Sequence, residues 1–186
     1  MIKNVVLKRV LKNTLFRAVS LVNKLIAKDK NKVLFYSANG GIGDNLLPLK
    51  NYLIDNEYWK KYKIICCVEN EEYIKENESH IHYITRLNAI QTFLTSKYVF
   101  YSTGQIPVKP SRQQIVWFVD HGVAFKKYGP MGAKINGYNH YFTKFVVPSD
   151  VYIPIIKEDF LCSDDDIEVI GEPMTDMLYA DTNRYN

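Results

Sequence analysis

Short apolar runs that suit buried strands alternate along the chain with segments of helical spacing. The strand-like runs are KVLFYSA (32–38), KIICCVE (63–69), HYITRL (82–87), KYVFYST (97–103), QIVWFVD (114–120), KFVVPS (144–149) and IEVIG (167–171). Between them lie NLLPLKNYLIDNEYWKKY (45–62), NAIQTFLTS (88–96) and DVYIPIIKEDFL (150–161), which read as helices. EEYIKENE (71–78) reads as a short polar helix or loop, and GQIPVKPSR (104–112) as a loop with two prolines. The strand runs are nearly continuous in apolar residues, as strands buried on both faces must be. Helices on both faces of a parallel sheet satisfy that demand. The fold class expected is α/β, a doubly wound parallel sheet of Rossmann-like type.

In such sheets ligands meet the loops at the carboxyl ends of the strands. Three features are expected there: GGIGD (40–44), Asp120-His121-Gly122 and Gly171-Glu172-Pro173. GGIGD lacks the third glycine of a dinucleotide fingerprint, and only Glu69 ends the next strand with an acid. A tight strand-to-helix turn is the simpler reading, with Asp44 near the helix start. Gly41 and Gly43 would let such a turn approach a ligand closely.

With 47% hydrophobic residues, 186 residues suffice for one good core and exclude a disordered chain. Charge is distributed unevenly. Nine cations stand against Asp29 in the first 32 residues, a net +8, so from the total of +4 the rest carries −4. A basic tail on a mildly acidic body suits an anionic surface, and the body has no basic, aromatic-laced stripe for nucleic acid. The tail, MIKNVVLKRVLKNTLFRAVSLVNKLIA, carries apolar residues at near-helical spacing and basic residues mostly outside that face. It is too broken to span a bilayer and lacks a signal-peptide core. A basic amphipathic helix over residues 1–31 is expected to lie on an anionic membrane surface; the alternative is packing on the body or a partner. The body is expected to run from 32 to 186.

Cys66, Cys67 and Cys162 have neither disulfide nor zinc spacing. The adjacent pair in KIICCV should point to opposite faces of its strand, as buried small hydrophobes. No metal or bound cofactor is expected.

WFVDHGVAFKKYG (117–129) carries the chemistry. His121 ends a buried strand. Gly122 permits an unusual backbone, and Lys126 and Lys127 follow closely. A histidine can take a proton from a hydroxyl, and lysines can hold phosphate. His80 and His82 read as solvated surface, and His140 is uninformative.

This segment resembles the strand–His-Gly motif of the CDP-glycerol glycerophosphotransferases that polymerise teichoic acids, usually Trp-His-Gly-Thr-Pro-Leu-Lys. The chain keeps His121, Gly122, Lys126 and Gly129, with Asp120 in place of the Trp. SANGGIGDNLLPLKNYL is similar to the family's first strand, glycine turn and Asp-Asn helix start. TSKYVFYSTGQIP and FVVPSDVYIPIIKEDF resemble further family segments. VIGEPMTDML resembles its Gly-x-Pro-Arg-Asn-Asp motif, keeping Gly171, Pro173 and Asp176, with Met174 and Thr175 in place of Arg and Asn.

The resemblance, over about residues 32–180, implies the N-terminal half of a GT-B-type pair of Rossmann-like domains. It implies attack by an acceptor hydroxyl on the β-phosphate of CDP-glycerol, or of a related alditol donor, releasing CMP. The acceptor would be a lipid-linked glycerophosphate or polyol-phosphate polymer at the cytoplasmic membrane face. His121 would be the general base or phosphate-positioning group. Lys126 would add charge, and Gly41, Gly43, Asp44, Asn45, Gly122, Gly171, Pro173 and Asp176 would line the substrate side. The nucleotide would sit mainly on a second domain that follows residue 186 in the family's order. The isolated chain is therefore expected to be inactive without a partner domain, with a homodimer as another possibility. A non-catalytic membrane-associated binding module and half of a nucleotide-sugar glycosyltransferase are the competing functions.

Overall fold

A computed structural model describes residues 14–38, 40–74, 78–122 and 141–179. Seven strands form one parallel sheet: β1 (Asp29–Tyr36), β2 (Lys63–Val68), β3 (Ile81–Thr85), β4 (Ser96–Tyr101), β5 (Ile115–Phe118), β6 (Lys144–Val147) and β7 (Ile167–Val169). Their order is β3-β2-β1-β4-β5-β6-β7, so the winding reverses between β1 and β4. Every strand expected from the sequence is present, and the α/β class stands.

Register sorts the side chains. Val33, Phe35, Ile64, Cys66, Val119 and Val146 face one side, whereas Leu34, Ile65, Cys67, Val99, Val116 and Phe145 face the other. The period of two along each strand dictates this, and it separates Cys66 from Cys67 as expected. Helix α2 (Leu46–Asp55) covers the first side with Leu46, Leu49 and Leu53. On the second side lie α1 (Leu15–Asn23), α3 (Ala89–Thr95) and α4 (Ile153–Phe160), contributing Phe16, Val19, Phe93, Ile156 and Phe160. A short α5 (Pro173–Asp176) starts on Pro173, whose fixed φ suits a first helical turn.

Aromatic residues knit both layers. Phe35, Phe100 and Trp117 stack across β1, β4 and β5, with centroids 5.3 and 6.5 Å apart. On the opposite side Phe118 meets Phe145 and Phe160 edge-on, at 4.8 and 5.8 Å. Such geometries add about 0.5–1.5 kcal/mol per pair beyond burial. Burial holds the Cys66 thiol up at about 12 and that of Cys67 at about 11.

The described part of the basic tail docks on the body. Phe16 and Val19 meet the core, and Asn23 is fully buried. Asn23 Nδ2 donates to Gln114 Oε1 (2.7 Å) and to the Lys109 carbonyl (3.0 Å). Its Oδ1 accepts from Lys28 Nζ (2.8 Å), which also reaches the Leu94 carbonyl (2.6 Å). Burial lowers the Lys28 pKa. Gln114 Nε2 completes the cluster on the carbonyls of Phe93 and Ser96. Strand β1 begins at Asp29, three residues before the body was expected to start. Its first residues, Asp29–Asn31, are polar and exposed, so hydrophobicity carries no sign of them. The amphipathic pattern serves two purposes. Phe16, Val19 and Asn23 dock, while Leu15, Ala18, Val22 and Leu25 form an exposed stripe, with Leu25 87% exposed. No helix among the described residues is long and apolar enough to cross a membrane.

Candidate functional site

At the winding reversal the loops after β1 and β4 touch. The Ala38 N–H donates to the Thr103 carbonyl at 3.1 Å. Gly104 sits at φ +64°, and a Cβ there would lie 2.3 Å from the Ala38 Cβ. Only glycine fits that approach and that backbone. Contact between the loops occupies this part of the crevice.

The glycine turn is also tied down. Gly40 donates its N–H to Glu69 Oε2 and accepts the Glu69 N–H on its carbonyl, each at 2.9 Å. Arg86 holds the other Glu69 oxygen at 3.1 Å. The Gly40 amide and then the Arg86 guanidinium keep this carboxyl below the usual carboxylate range. A dinucleotide site would use the acid at this position on a ribose; here Glu69 clamps the turn. The Tyr73 ring lies 3.5 Å from where a Gly41 Cβ would stand. Gly43 opens α2 by accepting the Leu46 and Leu47 N–H groups at 3.0 and 3.2 Å. Asp44 is exposed at φ +46°.

Asn45 brings the three expected loops together. Its side chain is completely buried. Nδ2 donates to the carbonyls of Val119 (2.8 Å) and Asp120 (3.4 Å), and Oδ1 accepts the Met174 N–H (2.8 Å). The GGIGD turn, the Asp-His-Gly loop and the Gly-Glu-Pro loop therefore share one amide. The sequence placed Asn45 among substrate-binding residues. With every polar atom bonded inside the protein, it acts instead as the tie that sets the loops, a role linear spacing cannot disclose.

Asp120 is 6% exposed and takes a left-handed backbone, φ +51°, which Asp tolerates better than most residues. That curl brings its Oδ1 onto both the His121 N–H (2.8 Å) and the His121 Nδ1. Burial pushes the Asp120 carboxyl up; the His121 hydrogen bonds and charge pull it back, and Asp44 pushes it up further. Glu172, between Gly171 and Pro173, is raised by burial and then by Asp120. Its proximity to Asp120 has no signature in spacing. The His121 side chain is 43% exposed. Gly122, at φ +136°, has no atom within 4 Å of where a Cβ would stand, so backbone conformation alone selects glycine.

Gly171 donates its N–H to the Val147 carbonyl at 3.3 Å, Pro173 opens α5, and Asp176 ends it exposed. Lys126, Lys127, Gly129 and His140 lie outside the described residues. Among the described residues the titratable groups acting on Asp120 are His121, Asp44 and, through its own shift, Glu172. No group of three or more His, Cys, Asp or Glu side chains there could hold a metal. A half-exposed imidazole pinned at Nδ1 by a buried carboxylate can exchange a proton with a bound hydroxyl.

The fold recurs in the wall teichoic acid polymerase TagF. One structure of TagF superposes with a TM-score of 0.72 at 19% identity, covering 99% of this chain and 47% of TagF. A TagF variant soaked with CDPG gives 0.74 at 17% identity, covering 98% and 50%. The chain thus spans about half the length of these structures. Among curated proteins none matches. A family model described as CDP-Glycerol:Poly(glycerophosphate) glycerophosphotransferase matches residues 16–185. Nearly all of the chain is covered, and it belongs to the CDP-glycerol:poly(glycerophosphate) glycerophosphotransferase family.

Proposed function

We propose that this chain forms the acceptor side of a transferase that moves glycerol phosphate, or a related alditol phosphate, from a CDP-activated donor to a membrane-linked polymer. One observation carries the reading: His121 stands half-exposed at the carboxyl end of β5, where Asn45 gathers the three motif-bearing loops. In this reading His121 takes the proton of the acceptor hydroxyl. The hydroxyl oxygen bonds to the β-phosphorus as the bond from phosphorus to the CMP oxygen breaks, and CMP leaves with the electron pair. Positioning and electrostatic stabilisation dominate such transfers. The carboxylates near His121 do not attract phosphate, so Lys126 and Lys127 are assigned that charge. A second domain, in the GT-B manner, would hold the nucleotide.

The acceptor polymer would lie at the inner face of a bacterial plasma membrane. The exposed stripe Leu15, Ala18, Val22 and Leu25, flanked by Arg17 and Lys24, supports membrane contact. Flotation with vesicles containing anionic lipid, but not with neutral ones, is the expected outcome; equal flotation with both removes the electrostatic part.

The decisive experiment measures transfer from CDP-glycerol to a lipid-linked acceptor by the full-length protein carrying this chain. His121→Ala should lower turnover by roughly 10²–10⁴-fold in a protein that still folds. Unchanged turnover overturns the assignment.

A further inference from the structure

We propose that Asp120 is the positioning residue of His121: its buried carboxylate fixes the imidazole through Nδ1 and makes Nε2 the proton-accepting nitrogen. This rests on the reading of His121 as the base. It goes beyond that reading, because the family resemblance expects a tryptophan at position 120, which could offer no carboxylate.

Four observations converge. First, the left-handed backbone of Asp120 is what lets one carboxylate oxygen meet both the ring and the N–H of the very next residue. An extended residue would point its side chain away from its neighbour's. Second, the Asp120 carbonyl and the preceding Val119 carbonyl are held by the buried Asn45 amide, so the curl is anchored from outside the loop. Third, the Val119 N–H donates to the Tyr101 carbonyl at 3.0 Å, which extends the pairing of β5 with β4 to the residue before the curl. Fourth, burial is unequal within the pair. The Asp120 side chain is 9% exposed, whereas the His121 side chain is 43% exposed. The carboxylate is shielded from competing water, and the ring is half-exposed.

The chemical consequence follows from histidine's two nitrogens. A carboxylate accepts a hydrogen bond, so the Nδ1 facing it carries the proton in the neutral ring. Nε2 is then the basic nitrogen. When Nε2 takes the proton of the acceptor hydroxyl, positive charge spreads over the ring beside Asp120, and the carboxylate stabilises it without itself being protonated. Asp120 thus acts through His121 and touches no substrate.

Asp120→Asn is the informative substitution, because Asn also tolerates the left-handed backbone and removes only the charge. ¹⁵N spectra of histidine-labelled full-length protein, with His121 assigned by its loss in His121→Asn, read the tautomer directly. The expected result is an Nδ1-protonated His121 in the parent, with that signature weakened in Asp120→Asn and absent in Asp120→Ala. Turnover with CDP-glycerol and lipid-linked acceptor should fall roughly 10²-fold or more in Asp120→Asn, with KM for the donor unchanged. An Nε2-protonated His121 in the parent overturns the proposal. So does an Asp120→Asn protein with the parent's tautomer and turnover. If His121→Ala keeps full turnover, the base assignment fails while the tautomer measurement still decides whether Asp120 orients the ring. If His121→Ala is inactive and Asp120→Asn is fully active, His121 stands and Asp120 falls.

Discussion

Two fully buried asparagines stand at opposite ends of the sheet. Asn23, at the amino end, ties helix α1 to the starts of β1 and β5. Its partners are Lys28, Gln114 and the Lys109 carbonyl, and around it the Gln114 and Lys28 side chains reach further carbonyls. Asn45, at the carboxyl end, ties α2 to the end of β5 and to the start of α5. Both use buried amides to join segments far apart in sequence. What they hold differs. The Asn23 cluster ends on backbone carbonyls and secures the docking of a helix. The Asn45 cluster holds a left-handed aspartate with a raised pKa and, next to it, a half-exposed histidine. One end is built for cohesion, whereas the other keeps a costly arrangement in place. Strain and buried charge of that kind persist where the surroundings over-determine them, and they gather at functional sites.

The comparison can be broken most sharply at Asn23. Asn23→Ala strips hydrogen bonds from a buried amide, a buried ammonium and a backbone carbonyl, and should cost roughly 2–4 kcal/mol. Denaturant unfolding measures that loss, and transfer per folded molecule should be unaffected. A loss confined to activity would dissolve the distinction between the two ends.

Asn45→Ala should cost less stability, roughly 1–3 kcal/mol, because it bonds only neutral backbone groups, whereas Asn23 also holds the Lys28 ammonium. Its effect on transfer should be large, since the Asp120 curl and the α5 start lose their common anchor. Stability and turnover measured on the same preparation check this; a destabilised protein with normal turnover per folded molecule would show that the loops hold their geometry without the amide.

The smallest effect concerns pH. The folded-state pKa of Asp120 lies above the ordinary 3.8. Folding therefore favours its protonated form, and the associated stability is present below the unfolded pKa and lost as pH rises through the raised folded value. Asp120→Asn removes that loss, and also the push on Glu172. The stability advantage of Asp120→Asn should thus grow as pH climbs from 3.8 through the raised pKa, then level off. Denaturant midpoints across the acid range report it; a gap that widens toward low pH would mean that the pairing with His121, not burial, dominates Asp120.

The sheet was legible because its strands are nearly continuous apolar runs of a few residues, punctuated by glycine, proline and polar turns. QIVWFVD and KFVVPS could hardly be anything else between two helical layers. The glycine turn, the Asp-His-Gly loop and the Gly-Glu-Pro loop were placed correctly at the carboxyl ends, since a parallel sheet puts all such loops on one side. Which residues anchor the loops was not legible. Asn45 reads like any helix-start asparagine, and its three partners lie 74, 75 and 129 residues away. Glu69 ends its strand where a dinucleotide site would put a ribose ligand, and spacing alone does not disclose that its carboxylate lies on Gly40 and Arg86. The tail's amphipathic pattern announced one apolar face. It could not say that Phe16 and Val19 are spent on the body while Leu15, Val22 and Leu25 remain outside.

Sequence alone determined the α/β class, the end of the sheet to which the three motif loops belong, and the opposite facing of Cys66 and Cys67. These follow from local periodicity and from the handful of topologies that bury such strands. Only the tertiary structure decided that Asn45 is a tie, that Glu69 clamps a turn, and that Asp120 curls back onto His121. Those facts depend on hydrogen bonds between segments brought together by folding and on a backbone dihedral that side-chain identity permits but does not impose.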